Sequence, residues 1–254
     1  MIPFFRKIRK QFADDNKPLQ YLRYAIGEII LVVIGILIAI QINNWNEQRK
    51  SNHLKDVYLT RLINDIERDT VTINNIRTDI ELNQNLIGEL TKNISTETNL
   101  ISLDTIISRF FESGWIIYEF IPNDNTYTDL SQTGNMNIIK NTDLIDEIIQ
   151  YYGYVQEVDN SNNVNKNWIT PLDLEVAKIT SAFELDPITS GLFSHKNRTE
   201  AIKNIQANSE LIERNAAGHY WINESLSENL LALKGVCNNL LHALHNERQI
   251  TSNY

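Results

Sequence analysis

The side chains able to do chemistry in this chain are few and poorly convergent. His242 and His245 stand three residues apart with Glu247 close behind, a spacing that puts two imidazoles on one helical face as a pair of metal ligands. A metal centre needs three or four ligands in a fixed geometry. Cys237 and His219 lie one or more turns away on the same predicted helix, and a second helix would have to complete any site. Solvated or capping histidines explain the pair better, since a helix C-terminus favours them through its dipole. His219 reads as a packing residue. Glu224 and Glu228 form an acidic helical edge, without the Glu-x-x-His pair of a di-iron bundle. P-loop, dinucleotide fingerprint and nucleophile elbow are all missing. The residues therefore point away from catalysis and call for no cofactor and no metal. Glu28 is left, a carboxylate inside an apolar run, where an ionisable group is by default a functional hypothesis.

The element that must position Glu28 is the stretch Tyr24–Ile42. At about 1.5 Å per residue it spans roughly 28 Å as a helix, the thickness of a bilayer's hydrocarbon core. Ile29–Ile40 has no polar face, and Tyr21 and Tyr24 on one side and Trp45 on the other match an aromatic belt. The run is too long for the apolar region of a cleaved signal peptide, and Ile38–Gln41 lacks the small residues of a cleavage site. Arg6, Lys7, Arg9, Lys10, Lys17 and Arg23 precede it, against Arg49, Lys50 and Lys55 after it. That bias predicts a cytoplasmic N-terminus, with the large C-terminal body on the far side of the membrane. Phe5, Ile8 and Phe12 share one helical face while Arg6, Lys7, Arg9 and Lys10 occupy the others, as in a segment lying among anionic headgroups. Residues 1–24 carry six basic and two acidic side chains, net +4, which leaves −13 for residues 25–254 of a total of −9. So acidic a body is a poor partner for nucleic acid.

Gly27, Gly35 and Ala39, with Leu31 between, form a stripe of mostly small residues on which a second helix can pack. Glu28 borders that stripe. Its bland role is an interfacial carboxylate orienting helix packing; its sharper one is ion coupling.

The body predicts an all-α fold, with segments 1–23 (basic, amphipathic, cytoplasmic), 24–42 (transmembrane) and 43–254 (helical, extracytoplasmic). A long helix is expected over about 43–94, shorter helices over about 103–197, and a long last helix over about 200–250. From Leu59, apolar residues recur in heptads: Leu59, Ile66, Ile73, Ile80, Ile87 and Ile94 on one position, Leu62, Asp69, Ile76, Asn83 and Leu90 on the other. This is a narrow helical packing seam of coiled-coil type. A homodimer could fill it, but the same alternation returns through Ile205, Ile212, His219, Ile222, Leu226, Leu233, Val236 and Leu240. An internal antiparallel pair is the preferred expectation. In between, Asp104–Ser113 reads as a helix ended by Gly114, and Trp115–Ile121 is ambiguous between strand and buried helix. Asn125 or Thr126 caps a helix through Gln132, and Asn141 caps the next. The polar run Asp159–Asn167 weakens that helix, and Pro171 is expected to open another. The single cysteine, Cys237, excludes an intrachain disulfide.

Several strings carry a family resemblance. Phe4–Arg9, Tyr21–Ile29, Ile34–Ala39 and Gln41–Asn46, followed by Thr126-Tyr127, Leu130, Gly134, Asn141, Leu144 and Tyr151-Tyr152, resemble an uncharacterised family of single-pass envelope proteins common in Bacteroidota. The resemblance implies an inner-membrane anchor and a helical domain of unknown function, with no catalytic residue, cofactor or partner attached. The second motif fits caps and a turn; its minority reading is a docking surface around Tyr127, Tyr151 and Tyr152, since tyrosines favour interfaces. The expected function is thus a non-enzymatic membrane-anchored protein whose periplasmic domain associates or senses, with the lipid bilayer and a membrane or periplasmic protein as partners. The alternative is an accessory subunit of an ion-driven motor or transporter that uses Glu28.

Overall fold

The computed structural model describes residues 18–193 and 197–252. Its helices are α1 (Pro18–Asn93), α2 (Leu100–Arg109), α3 (Asn125–Gln132), α4 (Thr142–Ile179), α5 (Ala182–Leu185), α6 (Arg198–Ala207) and α7 (Ser209–Ser252). A π-helical turn, Phe110–Gly114, extends α2, and 3₁₀ turns occupy Asn135–Ile138 and Ser190–Phe193. Among the described residues there is no strand. The chain divides into two compact units, one up to Lys55 and the other from Asp56 onward.

The first unit holds the apolar part of α1. No residue of its most apolar window is buried, and Leu31 is 71 % and Leu37 59 % exposed. This is the one described helix long and apolar enough to cross a membrane.

The second unit is a bundle of three long helices. All six residues of the Leu59–Ile94 heptad position are 2 % exposed or less, so the seam is filled from within the chain. Asp56 pairs with Arg248 (2.9 Å), Asn74 accepts from Lys234 (2.7 Å), Asn83 from Asn223 (3.1 Å), and Ser95 donates to Glu213 (2.7 Å). Each step outward along α1 is matched by a step back along α7, which makes the pair antiparallel. The α4 helix is also antiparallel to α7: Asn141 reaches Glu247, Asn165 reaches Ser225 and Asn215 reaches Asp173.

Two expectations change. The polar run does not weaken α4, and Pro171 lies inside this 38-residue helix rather than opening a new one. Asn162 and Asn165 of that run are buried and bonded to Tyr118 O and Ser225 Oγ. Ile169 before the proline and Val176 after it carry the buried stripe across this point. The last long helix is in turn broken at Asn208, whose side chain donates to Asn204 O (2.8 Å) while its carbonyl accepts from Leu211 and Ile212 to start α7.

The apolar interior is divided. One cluster runs from Tyr58 to Ile80 on α1 with Leu144–Val158 of α4 and Leu226–Leu244 of α7. The other gathers Ile87–Ile94, α2, Val176 and Ala201–Ala216. Between them the long helices present Asn83, Asn162, Asn165, Asn215, His219 and Asn223, all buried.

Candidate functional site

The segment Ser113 to Tyr118 takes in the last two residues of the π-helical turn and, from Trp115, a stretch with no regular secondary structure to satisfy its carbonyls. Buried polar groups must be bonded or they destabilise the fold, and three asparagines from three helices do this. Asn83 of α1 donates to Ser113 O (2.5 Å), Asn223 of α7 to Ile116 O (3.2 Å) and Asn162 of α4 to Tyr118 O (2.9 Å). Asn223 also donates to Asn83 Oδ1, which ties the two together. The polar layer between the two apolar clusters thus clamps one irregular strap.

A fourth bond fixes the strap's indole. Trp115 Nε1 donates to Asp173 Oδ1 (2.7 Å), which also accepts from Asn215 Nδ2 (2.7 Å) and lies 2.8 Å from His219 Nε2. Burial pushes the Asp173 carboxyl up, but the His219 bond and charge, with the Trp115 and Asn215 donors, outweigh it and hold it below the usual value. Asn215 Oδ1 and His219 Nδ1, one turn apart and buried, have no protein partner.

Beside the strap lies an open cavity of ≈ 590 Å³. Asp79, Leu82 and Leu86 line it from one face of α1, at helical spacing, and Glu112 and Tyr118 from opposite ends of the strap region. Arg109 also lines it, already paired with Glu89 at 2.7 Å.

The family-like second motif forms a separate node. Asp69, fully buried, accepts from Tyr151 Oη (2.6 Å) and from the backbone and side chain of Asn123 (2.9 and 2.7 Å). Thr126 bonds Asp65, and Arg61 and Tyr58 bond Asp129. Tyr127 stacks on Tyr152 with centroids 4.1 Å apart. Tyr151 and Tyr152 are buried and Tyr127 is half-buried. The first two rings belong to the core, so of the three only Tyr127 presents ring surface. Burial, with the nearby Asp69 and Asp65 charges, raises the pKa of both buried tyrosines. Cys237 is buried against the same node, and burial pushes its thiol up to about 11, so it is protonated and unreactive at neutral pH.

The remaining sequence candidates fall as follows. Gly27 and Gly35 are open, with nothing within 4 Å of an added Cβ, and Ala39 is exposed. Glu28 and Tyr24 are half-buried. Trp45 is exposed, and the Arg49 guanidinium sits 5.7 Å from its ring centroid. Tyr21 lies in α1, whereas Arg6, Lys7, Arg9 and Lys10 lie outside the described residues. His242 contacts Asn246, and Glu247 accepts from Asn141. Among the described residues, no group of three His, Cys, Asp or Glu is placed to hold a metal.

With this geometry in hand, comparison with known families gives one result: residues 28–168 match the model of a family of unknown function, DUF6090. The chain belongs to that family. No curated protein and no solved structure matches it. The DUF6090 segment begins at Glu28 and ends at Trp168, so it takes in the Asp69 node, Asn83, the strap and Asn162. It leaves out Asp173 and the whole of α7, hence His219 and Asn223. Within this member the strap's clamp is closed by a helix outside the matched region.

Sequence reasoning singled out Asn83 as a seam interruption and His219 as a packing residue, but missed Asp173, Asn215 and Asn223. Asn223 follows the seam residue Ile222 and gave no periodic signal. Asp173 was hidden behind Pro171.

Proposed function

We propose that this chain is a non-enzymatic, single-pass membrane protein whose helical domain stands on the periplasmic side of a bacterial inner membrane and works in association or sensing. The observation that carries this reading is the apolar part of α1. From Ile29 to Ile42 every residue of the helix is exposed, and most are Ile, Leu or Val. Each such side chain left in water forfeits about 1.5–3 kcal/mol relative to burial, and a bilayer of matching thickness is the natural cover. Trp45 with Arg49 supplies an interfacial anchor at one end. The basic residues before the helix give the orientation. The buried amides of Asn83, Asn162 and Asn223 are spent on holding the strap's backbone, which suits a binding scaffold better than a reaction centre.

The full chain, expressed in a Gram-negative bacterium with a tag after Tyr254, should stay with membranes after alkaline extraction. Protease added to spheroplasts should remove the tag while a cytosolic marker survives. Release into the soluble fraction would end the anchored reading, and a protected tag would reverse the orientation. Crosslinking from the periplasmic face should capture a reproducible membrane or periplasmic partner, or a second copy.

A second reading is supported by Glu28 alone, an acidic residue within the exposed apolar helix: an accessory subunit of an ion-driven motor or transporter. Glu28→Gln should then abolish ion-dependent function at unchanged protein level. Survival of that function excludes coupling through this carboxylate.

A further inference from the structure

We infer that the cavity beside the strap is a binding site for a small organic dication, an alkane carrying two ammonium groups. The inference rests on the sensing reading above and names its ligand class. The cavity's ≈ 590 Å³ falls within the range of small-molecule sites. Three carboxylates line it, Asp79, Glu89 and Glu112. Arg109 neutralises Glu89, while among the described residues neither Asp79 nor Glu112 has a basic group within 4.0 Å. Two uncompensated acids therefore face the space from different elements, one on α1 and one on the π-helical turn. Leu82, 60 % exposed, and Ile116, 40 % exposed, supply apolar wall in the same space. A leucine that exposed on a helix whose neighbouring seam is buried lacks a packing role in the bundle. Tyr118 adds an aromatic ring, a favourable neighbour for an ammonium. An inorganic cation uses only the acids, and an apolar solute only Leu82 and Ile116; a diammonium alkane uses both.

The wall is also preorganised. Asn83 and Asn223, each 1 % exposed, spend their amides on the strap carbonyls of Ser113 and Ile116. The strap thus holds its shape before a ligand arrives, and little ordering cost falls on binding. Asn83 lines the cavity itself and links that wall to the core.

The test is calorimetric titration of the full chain in detergent micelles with α,ω-diaminoalkanes of about three to eight carbons. Glutarate, hexanediol and potassium serve as controls. Saturable one-site binding of a diamine is expected, weakening with added salt, and at least about tenfold weaker or absent for the controls. Asp79→Asn, Glu112→Gln and Leu82→Ala should each weaken it about tenfold or more, with helix content and melting unchanged. The matched pair Glu157→Gln and Asp159→Asn, exposed acids elsewhere on the bundle, should leave it intact. No saturation by about 10 mM diamine, equal loss in the control pair, or insensitivity to Leu82→Ala would overturn the site. Failure here, with the C-terminal tag still external in spheroplasts, removes the ligand and leaves the anchored reading standing.

Discussion

Asp69 is a carboxylate at zero exposure in an otherwise apolar seam, and three donors offset its desolvation. Asp69→Asn places an amide nitrogen against one of those donors and should cost about 2–4 kcal/mol of stability, read by urea unfolding of the full chain in micelles. Tyr151→Phe removes a single charge-assisted bond and should cost about 1.5–3 kcal/mol. The same node sets the alkaline limit of the fold. Tyr151 and Tyr152 have folded pKa values above the free value of 10.0, and Cys237 rises from 9.0 to about 11. Groups raised in this way stabilise fully below their unfolded pKa and lose that stabilisation as pH climbs through the folded one. Melting temperature should therefore hold to about pH 9 and fall above it, less steeply in Tyr151→Phe. Asp173 has the opposite sign: its lowered pKa stabilises above 3.8 and fails as pH drops through the folded value. Asp173→Asn should flatten the acid limb without touching the alkaline one.

At the scale of elements, what the sequence made legible was whatever is periodic within one segment. The heptads of α1 needed no knowledge of their partner, because a 3.5-residue repeat of Ile and Leu is specified locally, and all six residues from Leu59 to Ile94 are buried. The Asn141 cap and the left-handed Gly134 (φ 72°) were equally local. The continuity of α4 was not legible. Its run Asp159–Asn167 is polar in composition, and only the distant strap and α7 make Asn162 and Asn165 interior residues. The strap itself carried apolar residues without helical or strand pairing, so its carbonyls' partners lay outside any window. Pro171 shows the cost of such a compromise. It is exposed inside a helix and removes one backbone donor, so Pro171→Ala should raise stability by about 1–2 kcal/mol after allowance for the freer unfolded chain. An unchanged or lower denaturation midpoint would mean that the proline's own ring or fixed φ supports the helix at this point. Gly218 argues the other way: an added Cβ there would sit 2.3 Å from Ile169 Cδ1, where α4 and α7 approach closely. Gly218→Ala should cost about 1–3 kcal/mol.

For the molecule as a whole, the division of the core matters more than any one bond. Among the described residues, the layer between the cluster around Tyr58–Ile80 and the cluster around α2 and α6 is made mostly of amides, an imidazole and the strap, with Ile169 and Ile222 as buried apolar residues that belong to neither cluster. Apolar contact is what makes unfolding cooperative, and a polar layer transmits less of it, so the two halves are natural candidates for separate opening units. The half built on α2 and α6 has fewer buried apolar residues and shorter helices. Amides of Leu103–Ile107 and Ile202–Ile205 should thus exchange through a lower-energy opening than those of Leu62–Ile73 and Leu233–Leu244, in native-state hydrogen exchange. Asn223→Ala sharpens the test. It orphans the Ile116 carbonyl and one acceptor of Asn83, at about 1–3 kcal/mol. That loss should fall mainly on the α2 and α6 amides and leave the Tyr58–Ile80 cluster near its original protection. Equal loss across both clusters would show that the amide layer couples the halves as tightly as a continuous core, and the strap would then be a fastener of the entire bundle rather than the boundary between two of its parts.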